Sequence, residues 1–309
     1  MKDVSIFAGS ASKEIGNDIA KAFGQDLGNV ILNVYSDGEF QPSFEESIRG
    51  HDVYLVQSTM PPSDNLMELL MMVDAARRAS AGHIVTIVPY FGFARQDRKD
   101  RPRVPIASKL VANLLAASGI ERLITMDLHA DQIQGFFDIP VDHLFASKVF
   151  VPVIRELGLD NMMFASPDTG GTRRAANYAK YFGTDFAICY KQRSKPNQIA
   201  SMSLIGDVKG KNVILLDDMI DTAGTITRAA QLIMDEGANS VRAFATHAVL
   251  SGNAYDKINK SVFTKIYLTD TIPQKQTSDK IEIVRTADVF AEAIEKIQNR
   301  ESISSLFEF

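Results

Sequence analysis

The feature that most constrains the fold of this chain is an alternation between short apolar or β-branched runs and longer segments with apolar residues at helical spacing. Short runs of this kind predict buried strands, and the intervening periodicity predicts amphipathic helices. The predicted strands span residues 4–8, 30–35, 53–58, 84–90, 123–127, 162–166, 185–190, 213–218 and 241–247. Because strands that alternate with helices are typical of parallel βαβ units, the sequence predicts an α/β fold with mainly parallel sheets flanked by helices.

The length of the chain predicts two domains. A single core usually stops growing at about 250–300 residues, and this chain has 309. A proline-containing polar segment between Pro140 and Ser147 interrupts the strand and helix alternation. We therefore predict two similar domains, over residues 1–145 and 146–298, with the tail 299–309 packing on the first.

Composition narrows the possible partners. A formal net charge of -5 gives no general attraction to nucleic acid or to anionic lipid, so a polyanion must be held by local features. No apolar run approaches the ~18 residues that a membrane span needs, and the amino terminus does not resemble a signal peptide. The single cysteine, Cys189, fits a reducing compartment. We expect a cytoplasmic protein with neither nucleic acid nor membrane as partner.

The string "LLDDMIDTAGT" at residues 215–225 predicts a ligand site. It places Asp217 and Asp218 at the carboxyl end of a predicted strand, where ligands bind in open α/β sheets. Residues 222–225 then form the turn that opens a helix, whose free amides, with Gly224 allowing close approach, favour a phosphate. Two carboxylates beside a phosphate require sugar hydroxyls or a divalent cation, so a sugar phosphate with Mg²⁺ fits. A capped helix with solvated acids is the alternative.

A second group of candidate residues follows other predicted strands. Arg95, Gln96 and the basic residues after them follow the strand at 84–90, where guanidinium groups can bind a polyphosphate. His129 and Asp168 follow two further predicted strands, which places an imidazole and a carboxylate at the edges of two domains. Charge runs are often solvated faces, and single histidines are often structural, so these alternatives stay open.

Longer strings carry a resemblance to a known family. "VILLDDMIDTAGTITRA" resembles the phosphoribosyl-diphosphate loop of type I phosphoribosyltransferases and, more closely, that of the ribose-phosphate diphosphokinases. The strings at 89–115, 125–144 and 166–175 resemble the diphosphokinases and have no counterpart in ordinary phosphoribosyltransferases, and the tail at 302–307 also matches the diphosphokinases. Together these matches cover nearly the whole chain.

The resemblance implies two domains similar to type I phosphoribosyltransferases and a defined reaction. The enzyme would transfer the β,γ-diphosphoryl group of MgATP to the 1-hydroxyl of ribose 5-phosphate, for nucleotide and amino-acid biosynthesis. The residues it assigns to ribose 5-phosphate are Asp217, Asp218, Asp221, Thr222, Ala223, Gly224 and Thr225. Those it assigns to ATP are Tyr35, Asp37, Glu39, Arg95, Gln96 and His129. It implies Lys191 and Arg193 as the catalytic pair and His129 and Asp168 as metal ligands.

The resemblance also implies regulation by phosphate compounds. The phosphate-dependent class of this family is a homo-hexamer that inorganic phosphate activates and ADP inhibits. The positions that match its regulatory site are Ser47, Arg49, Ser80, Ser302, Ser304 and Phe307. The chain departs from the common pattern at Tyr35, usually Phe, and at Tyr190 and Gln192, often Asp and Arg.

Three other functions are compatible with parts of the pattern. A true phosphoribosyltransferase shares the loop but lacks "FARQDRK", "DLHADQIQGFF" and Lys191. A regulatory subunit resembling the synthetase-associated proteins would keep the fold with an altered catalytic loop. A DNA-binding regulator on this fold would need an added basic module. The synthetase is the interpretation that uses all of the strings.

Overall fold

The computed structural model describes residues 3–192 and 201–306 of the chain. The strands are β1 (Val4–Ala8), β2 (Val30–Val34), β3 (Phe40–Phe44), β4 (Asp52–Val56), β5 (His83–Val88), β6 (Arg122–Met126), β7 (Val141–Leu144), β8 (Met162–Ser166), β9 (Phe186–Gln192), β10 (Ser201–Ile205), β11 (Asn212–Ile220), β12 (Ser240–Ala248), β13 (Lys265–Thr269) and β14 (Ile281–Val284). The α-helices are α1 (Lys13–Phe23), α2 (Asp64–Arg78), α3 (Ala107–Ser118), α4 (Ser147–Glu156), α5 (Thr172–Phe182), α6 (Gly224–Asp235), α7 (Ala254–Lys260) and α8 (Ala287–Gln298).

The described residues divide into two compact units. The first runs to Ala146 and also takes in Thr271–Pro273 and the segment from Thr286 onward, while the second holds Ser147–Asp270 and Gln274–Arg285. We expected residues 146–298 to form one domain, but helix α8 belongs to the first unit. It packs against α1, and the Gln298 amide donates to the Tyr54 hydroxyl at 2.9 Å. An amphipathic pattern predicts a helix without indicating which sheet the helix covers.

The first unit is built on a five-stranded parallel sheet in the order β1-β4-β5-β6-β7. Its central strands are nearly continuous apolar runs because helices cover both faces of such a sheet. Helix α2 turns Leu69, Met72, Val73 and Ala76 into this core, whereas Met67 lies outside it and is 51% exposed. Apart from this sheet, β2 and β3 form an antiparallel hairpin.

The second unit contains a seven-stranded sheet in the order β10-β9-β8-β11-β12-β13-β14. All neighbouring strands are parallel except β9 and β10, which pair antiparallel at one edge. The predicted α/β class with mainly parallel sheets is confirmed. The sequence did not predict β3, β7, β10, β13 or β14. Among the described residues, no helix has the length and apolar character that a membrane crossing requires.

A buried glutamate joins three elements of the first unit. Glu68 on α2 is 3% exposed, and its carboxylate accepts hydrogen bonds from the Ser10 amide (2.8 Å) and the Ser10 hydroxyl (2.5 Å). The Gln57 side-chain amide donates to the same carboxylate at 2.9 Å. Ser10 follows β1 and Gln57 follows β4. Glu68 therefore fixes the carboxyl ends of two strands against the helix that covers them.

We predict that Glu68→Ala destabilises the protein strongly. The change leaves the buried side-chain amide of Gln57 without its carboxylate acceptor and removes both contacts of Ser10, at an expected cost of about 3 kcal/mol in the free energy of unfolding. Thermal denaturation of the purified variant measures the loss. Met67→Ala, the adjacent but exposed position, is the control and should change stability by about 0.5 kcal/mol or less. Equal melting temperatures for the two variants would contradict the role of Glu68.

Candidate functional site

Two carboxylates lie at the carboxyl end of the central strand β11. Asp217 and Asp218 are part of this strand, which pairs with β8 over its first half and with β12 along nearly its whole length. Asp218 is buried, Asp217 is partly exposed, and the Asp218 amide donates to Asp217 Oδ1 at 2.9 Å. Adjacent acids at this edge of a parallel sheet face the region in which ligands of α/β proteins bind.

The surroundings of Asp217 disfavour its charged form. Burial and then the carboxylate of Asp218 raise the pKa of Asp217 well above its usual range, with Asp168 adding to the increase and Arg174 opposing it. The structure thus brings Asp168, Asp217 and Asp218 close enough to interact electrostatically, as their predicted roles require. A ligand that supplies hydroxyl donors or a cation there would relieve the repulsion.

The loop after β11 has its backbone carbonyls bonded to donors outside it. The donors and acceptors are Leu250 N to Ile220 O (3.0 Å), Ser251 N to Asp221 O (3.0 Å), Lys257 Nζ to Thr222 O (2.9 Å), Thr227 Oγ1 to Ala223 O (2.7 Å) and Arg228 Nε to Gly224 O (3.0 Å). In a trans peptide the C=O and the following N–H point in opposite directions. Anchoring the carbonyls therefore directs the amides of the loop to its other side.

The loop closes onto the start of α6. Ala223 precedes the helix with φ at 57°, a left-handed conformation that costs a non-glycine residue free energy. The helix begins at Gly224, so Gly224 and Thr225 are its first residues and not part of a separate turn as we expected. The first amides of a helix have no partner within it and carry partial positive charge. An anion can bind there without a side-chain cation.

Asp168 occupies the loop between β8 and α5, where it is exposed. Its Oδ1 accepts from the amides of Gly170 (2.8 Å) and Gly171 (3.2 Å), and the Ser166 hydroxyl donates to its carbonyl at 2.5 Å. A Cβ on Gly171 would lie 2.7 Å from Ser166 Oγ, so a glycine is needed for this close approach. The turn holds the carboxylate at the same sheet edge as Asp217.

The two predicted catalytic residues lie at the limit of the described structure. Lys191 is in strand β9, which extends to Gln192 and so runs past the predicted end at residue 190. Its Cα is paired with that of Met202 on β10. Arg193 lies outside the described residues. Strand β9 neighbours β8, so it delivers Lys191 towards the edge that holds Asp168.

In the first unit, Arg95 and Gln96 follow β5 in an exposed loop. The Gly92 amide donates to the Thr59 hydroxyl at 2.8 Å, and a Cβ on Gly92 would lie 2.0 Å from the Thr59 carbonyl oxygen. The carbonyl of Gln96 accepts from the Ser108 hydroxyl at 3.0 Å. Contacts at both ends therefore fix the path of the loop while Arg95 faces outward.

His129 follows the neighbouring strand β6 and is exposed. The preceding amide, of Leu128, donates to Nε2 of the buried His143 at 2.8 Å. The Gln132 side chain contacts Asp97 at 3.3 Å, which joins the loop after β6 to the loop after β5. Two parallel, adjacent strands thus carry His129 and Arg95 to one edge of the sheet.

Tyr35, Asp37 and Glu39 form the tip of the β2–β3 hairpin. The Tyr35 amide donates to the Glu39 carbonyl at 2.7 Å, and the Glu39 amide donates to Asp37 Oδ1 at 3.0 Å. Tyr35 is 51% exposed and Val34 is 68% exposed. The tip therefore exposes an aromatic ring beside two carboxylates.

The six predicted regulatory residues fall into separate groups. Arg49 donates to the Ser80 hydroxyl at 3.2 Å, and Ser47 is exposed nearby in sequence. Ser302 and Ser304 share a hydroxyl–hydroxyl contact of 2.9 Å. Phe307 lies outside the described residues. The structure pairs Arg49 with Ser80 as a hydroxyl and guanidinium site requires, and the assignment of the whole set stays a prediction.

The described residues contain no cluster of three or more His, Cys, Asp or Glu side chains arranged to hold a metal ion. Mg²⁺ keeps several waters and takes only one or two protein ligands, so a site for this ion would not require such a cluster. The exposed Asp168 carboxylate has an oxygen beyond its glycine contacts, and the Asp217 environment favours positive charge. The acidic edge of the second unit therefore has suitable donors for Mg²⁺.

Several residues that shape the site were missed from sequence. Lys257 and Ser251 anchor the loop after β11, Arg174 opposes the repulsion at Asp217, and His143 fixes the loop before His129. The hydroxyl of Ser251 also donates to the Asp221 carboxylate. Lys257 and Ser251 contact residues that are 30 or more positions away in the sequence. Arg174 and His143 are single residues that belong to no recognisable motif. The only available signal was their presence after a predicted strand or within a helix.

Two family models match the chain. Residues 4–119 match the N-terminal domain of ribose phosphate pyrophosphokinase, and residues 166–308 match the phosphoribosyl synthetase-associated domain. Together they include both candidate edges, with Arg95 in the first match and Asp217 in the second.

Similar proteins extend over the full length. The ribose-phosphate pyrophosphokinase of Porphyromonas gingivalis is 54% identical over 99% of this chain and 98% of its own, and that of Wolinella succinogenes is 51% identical over 99% and 100%. The crystal structure of phosphoribosylpyrophosphate synthetase from Mycobacterium smegmatis is 38% identical, with a TM-score of 0.91 over 97% of this chain and 100% of that chain. Sites, fold and full-length similarity agree, and the chain is an enzyme of the ribose-phosphate pyrophosphokinase family.

Proposed function

We propose that this enzyme transfers the β,γ-diphosphoryl group of MgATP to the 1-hydroxyl of ribose 5-phosphate, with 5-phosphoribosyl 1-diphosphate and AMP as products. The proposal rests on the arrangement at the end of β11. There Asp217 and Asp218 are followed directly by a loop whose carbonyls are hydrogen-bonded to donors outside it. The names of the full-length relatives support the same substrates.

The end of β11 offers groups for both the phosphate and the hydroxyls of ribose 5-phosphate. The amides of the loop and of the first turn of α6 would bind the 5-phosphate, with Thr222 and Thr225 adding hydroxyl donors. Asp217 and Asp218 would accept hydrogen bonds from the ribose hydroxyls. This accounts for a carboxylate pair beside an anion site, since neutral hydroxyls separate the like charges.

ATP fits the edge formed after β5 and β6. Arg95 would bind phosphate oxygens, with Gln96 and His129 completing the contacts. The hairpin tip of Tyr35, Asp37 and Glu39 would reach the adenine of a neighbouring subunit, and its exposed ring suits stacking on a base.

Asp168 at the edge of the second unit would bind Mg²⁺ with phosphate oxygens and waters, and His129 at the edge of the first unit is the other proposed Mg²⁺ ligand. Bound in this way, it supplies positive charge that offsets the charge of the transferred group. The contribution of the chain itself is to hold these two side chains in position. The Gly170 and Gly171 amides hold Asp168 in one rotamer, and the His143 contact fixes the peptide before His129.

Diphosphoryl transfer in this proposal has no covalent enzyme intermediate. The oxygen on C1 of ribose 5-phosphate attacks the β-phosphorus of ATP, the bond from that phosphorus to the AMP oxygen breaks, and the hydroxyl proton leaves to solvent. Phosphoryl transfer relies on alignment and on stabilisation of charge on the phosphate oxygens. Lys191 and Arg193 are the proposed cations for that charge.

We propose that the enzyme works in the cytoplasm as a homo-hexamer, with inorganic phosphate as activator and ADP as inhibitor. The contact of Arg49 with Ser80 supports an anion site, and the exposed hairpin tip supports a partner subunit. Ser47, Ser302, Ser304 and Phe307 complete the proposed regulatory set.

A phosphorus NMR time course tests the reaction. Purified enzyme is mixed with ATP, ribose 5-phosphate, Mg²⁺ and inorganic phosphate, and the expected result is AMP rising in step with an anomeric diphosphate. ADP accumulation without AMP would contradict diphosphoryl transfer. Consumption of added 5-phosphoribosyl 1-diphosphate in the presence of a free base, without its synthesis, would instead indicate a phosphoribosyltransferase.

We predict that Lys191→Ala lowers kcat by about a hundredfold or more, because it removes a cation that stabilises the transferred group. Affinity for ATP and ribose 5-phosphate should stay within about threefold of the original enzyme, since binding uses other residues. Steady-state kinetics and a nucleotide-binding titration measure the two effects. Lys180→Ala, on the exposed end of α5, is the control. Near-normal turnover of Lys191→Ala would exclude the catalytic role.

We predict that Asp217→Asn stabilises the protein while weakening substrate binding. Burial and Asp218 raise the pKa of Asp217 in the folded state, so ionising it at neutral pH reduces the free energy of unfolding. Asparagine removes that cost and still accepts from the Asp218 amide, so the melting temperature should rise by about 2–4 °C. The gain should shrink as the pH falls through the raised pKa towards the ordinary value of about 3.9.

The exposed Asp185→Asn is the control for charge removal in the same unit. In binding titrations, Asp217→Asn should weaken ribose 5-phosphate affinity by about tenfold or more, since hydroxyl donors lose a charged acceptor. A melting temperature gain that is the same at all pH values would show that the pKa of Asp217 is not its cause.

A further inference from the structure

Lys257 is a half-buried cation beside the phosphate loop, and neither the family strings nor the family's substrate assignments include it. It lies on α7, and its Nζ donates to the Thr222 carbonyl at 2.9 Å. A Cβ built on Gly224 would lie 3.8 Å from the same Nζ. One ammonium group is therefore close to both the middle of the loop and the first residue of α6.

The contact fixes the orientation of one peptide group. Thr222 C=O and Ala223 N–H belong to the same planar unit and point in opposite directions. When Lys257 holds the carbonyl, the Ala223 amide is directed to the other side of the loop, where the helix amides begin. The left-handed Ala223 follows immediately, so this peptide is also the one whose conformation most needs support.

Lys257 differs from the other anchors of the loop. Leu250 and Ser251 hold Ile220 and Asp221 through their backbone amides, which any substitution other than proline preserves. Thr227 and Arg228 hold Ala223 and Gly224 from within α6 itself. Lys257 is the anchor that comes from a separate helix through its side chain, among the contacts described for residues 220–224. It is also charged, so it combines orientation with attraction for an anion.

We propose that Lys257 is a positioning residue for the 5-phosphate of the sugar phosphate substrate. Its hydrogen bond holds the Thr222–Ala223 peptide with the amide facing the phosphate, and its charge adds to the field of the α6 amino terminus. The inference rests on the proposed function, because it names what sets affinity at the ribose 5-phosphate site.

Three variants separate the two contributions. Lys257→Arg keeps charge and donors, Lys257→Gln keeps a donor without charge, and Lys257→Met removes both at similar side-chain length. Lys265→Met is the matched control, since Lys265 Nζ donates to the Asp279 carbonyl at 3.0 Å in the same unit. Lys265 begins β13, at the amino-terminal edge of the sheet and away from the loop.

The expected result is a selective loss of sugar phosphate affinity. Loss of a charge-assisted contact should raise the KM for ribose 5-phosphate about tenfold in Lys257→Met, less in Lys257→Gln and least in Lys257→Arg. The KM for ATP and kcat should match those of Lys265→Met. Raising the ionic strength from about 0.05 to about 0.5 M should narrow the gap between Lys257→Met and the original enzyme, because salt screens the charge contribution.

Titration of ribose 5-phosphate into each variant without ATP gives the same comparison independently of turnover. A KM and Kd for Lys257→Met within twofold of those of Lys265→Met overturn the inference while leaving the proposed reaction intact. A fall in kcat with unchanged affinity, or an equal rise in the KM for ATP, also overturns it. If the original enzyme binds ribose 5-phosphate without turnover, the proposed reaction fails, and the ratio of Kd values still decides the role of Lys257.

Discussion

The candidate site depends on the fixed direction of the peptide groups between Ile220 and Gly224. A loop of ordinary flexibility would present carbonyls and amides alternately, and the carbonyls would repel a phosphate. Here each of these carbonyls is hydrogen-bonded to a donor outside the loop, so each following amide points away from that donor. The positive end of α6 then adds to the same field. The proposed binding of a phosphate would thus rely on backbone geometry, since the net charge of the chain is negative.

The two units place their candidate residues in the same way but present different chemical groups. In both, parallel strands end at a common edge, and the loops after them carry the candidate residues. In the first unit the loops after β5 and β6 present a guanidinium and an imidazole, and Gly92 fits against Thr59 to set the path of the chain. In the second unit the edge presents carboxylates and backbone amides. Cationic side chains suit a polyphosphate, whereas carboxylates with amides suit a sugar that carries one phosphate.

The sequence predicted those strands whose residues are nearly all apolar and those loops that carry long characteristic strings. It did not predict β7, because "VDHL" includes two polar residues that are buried only through long-range partners. Arg122 donates to both oxygens of Asp142, and His143 accepts from the Leu128 amide. Helix α8 was predicted in the wrong unit for a related reason, since an apolar stripe does not identify its partner sheet. Local sequence patterns predict helices and apolar strands. The position of a strand with polar residues depends on hydrogen bonds to partners that are distant in the sequence.

The same distinction explains which site residues a sequence reveals. Asp217 and Asp218 are adjacent and follow an apolar run, so their position is visible locally, whereas Lys257 contacts a residue 35 positions away. Two features of the loop are also unfavourable without a ligand: Ala223 adopts a left-handed conformation, and a raised pKa opposes ionisation of Asp217. Folding alone would favour glycine at the first position and a neutral side chain at the second. Both unfavourable features are in one short segment, which is typical of a functional site and agrees with the proposed binding of ribose 5-phosphate there.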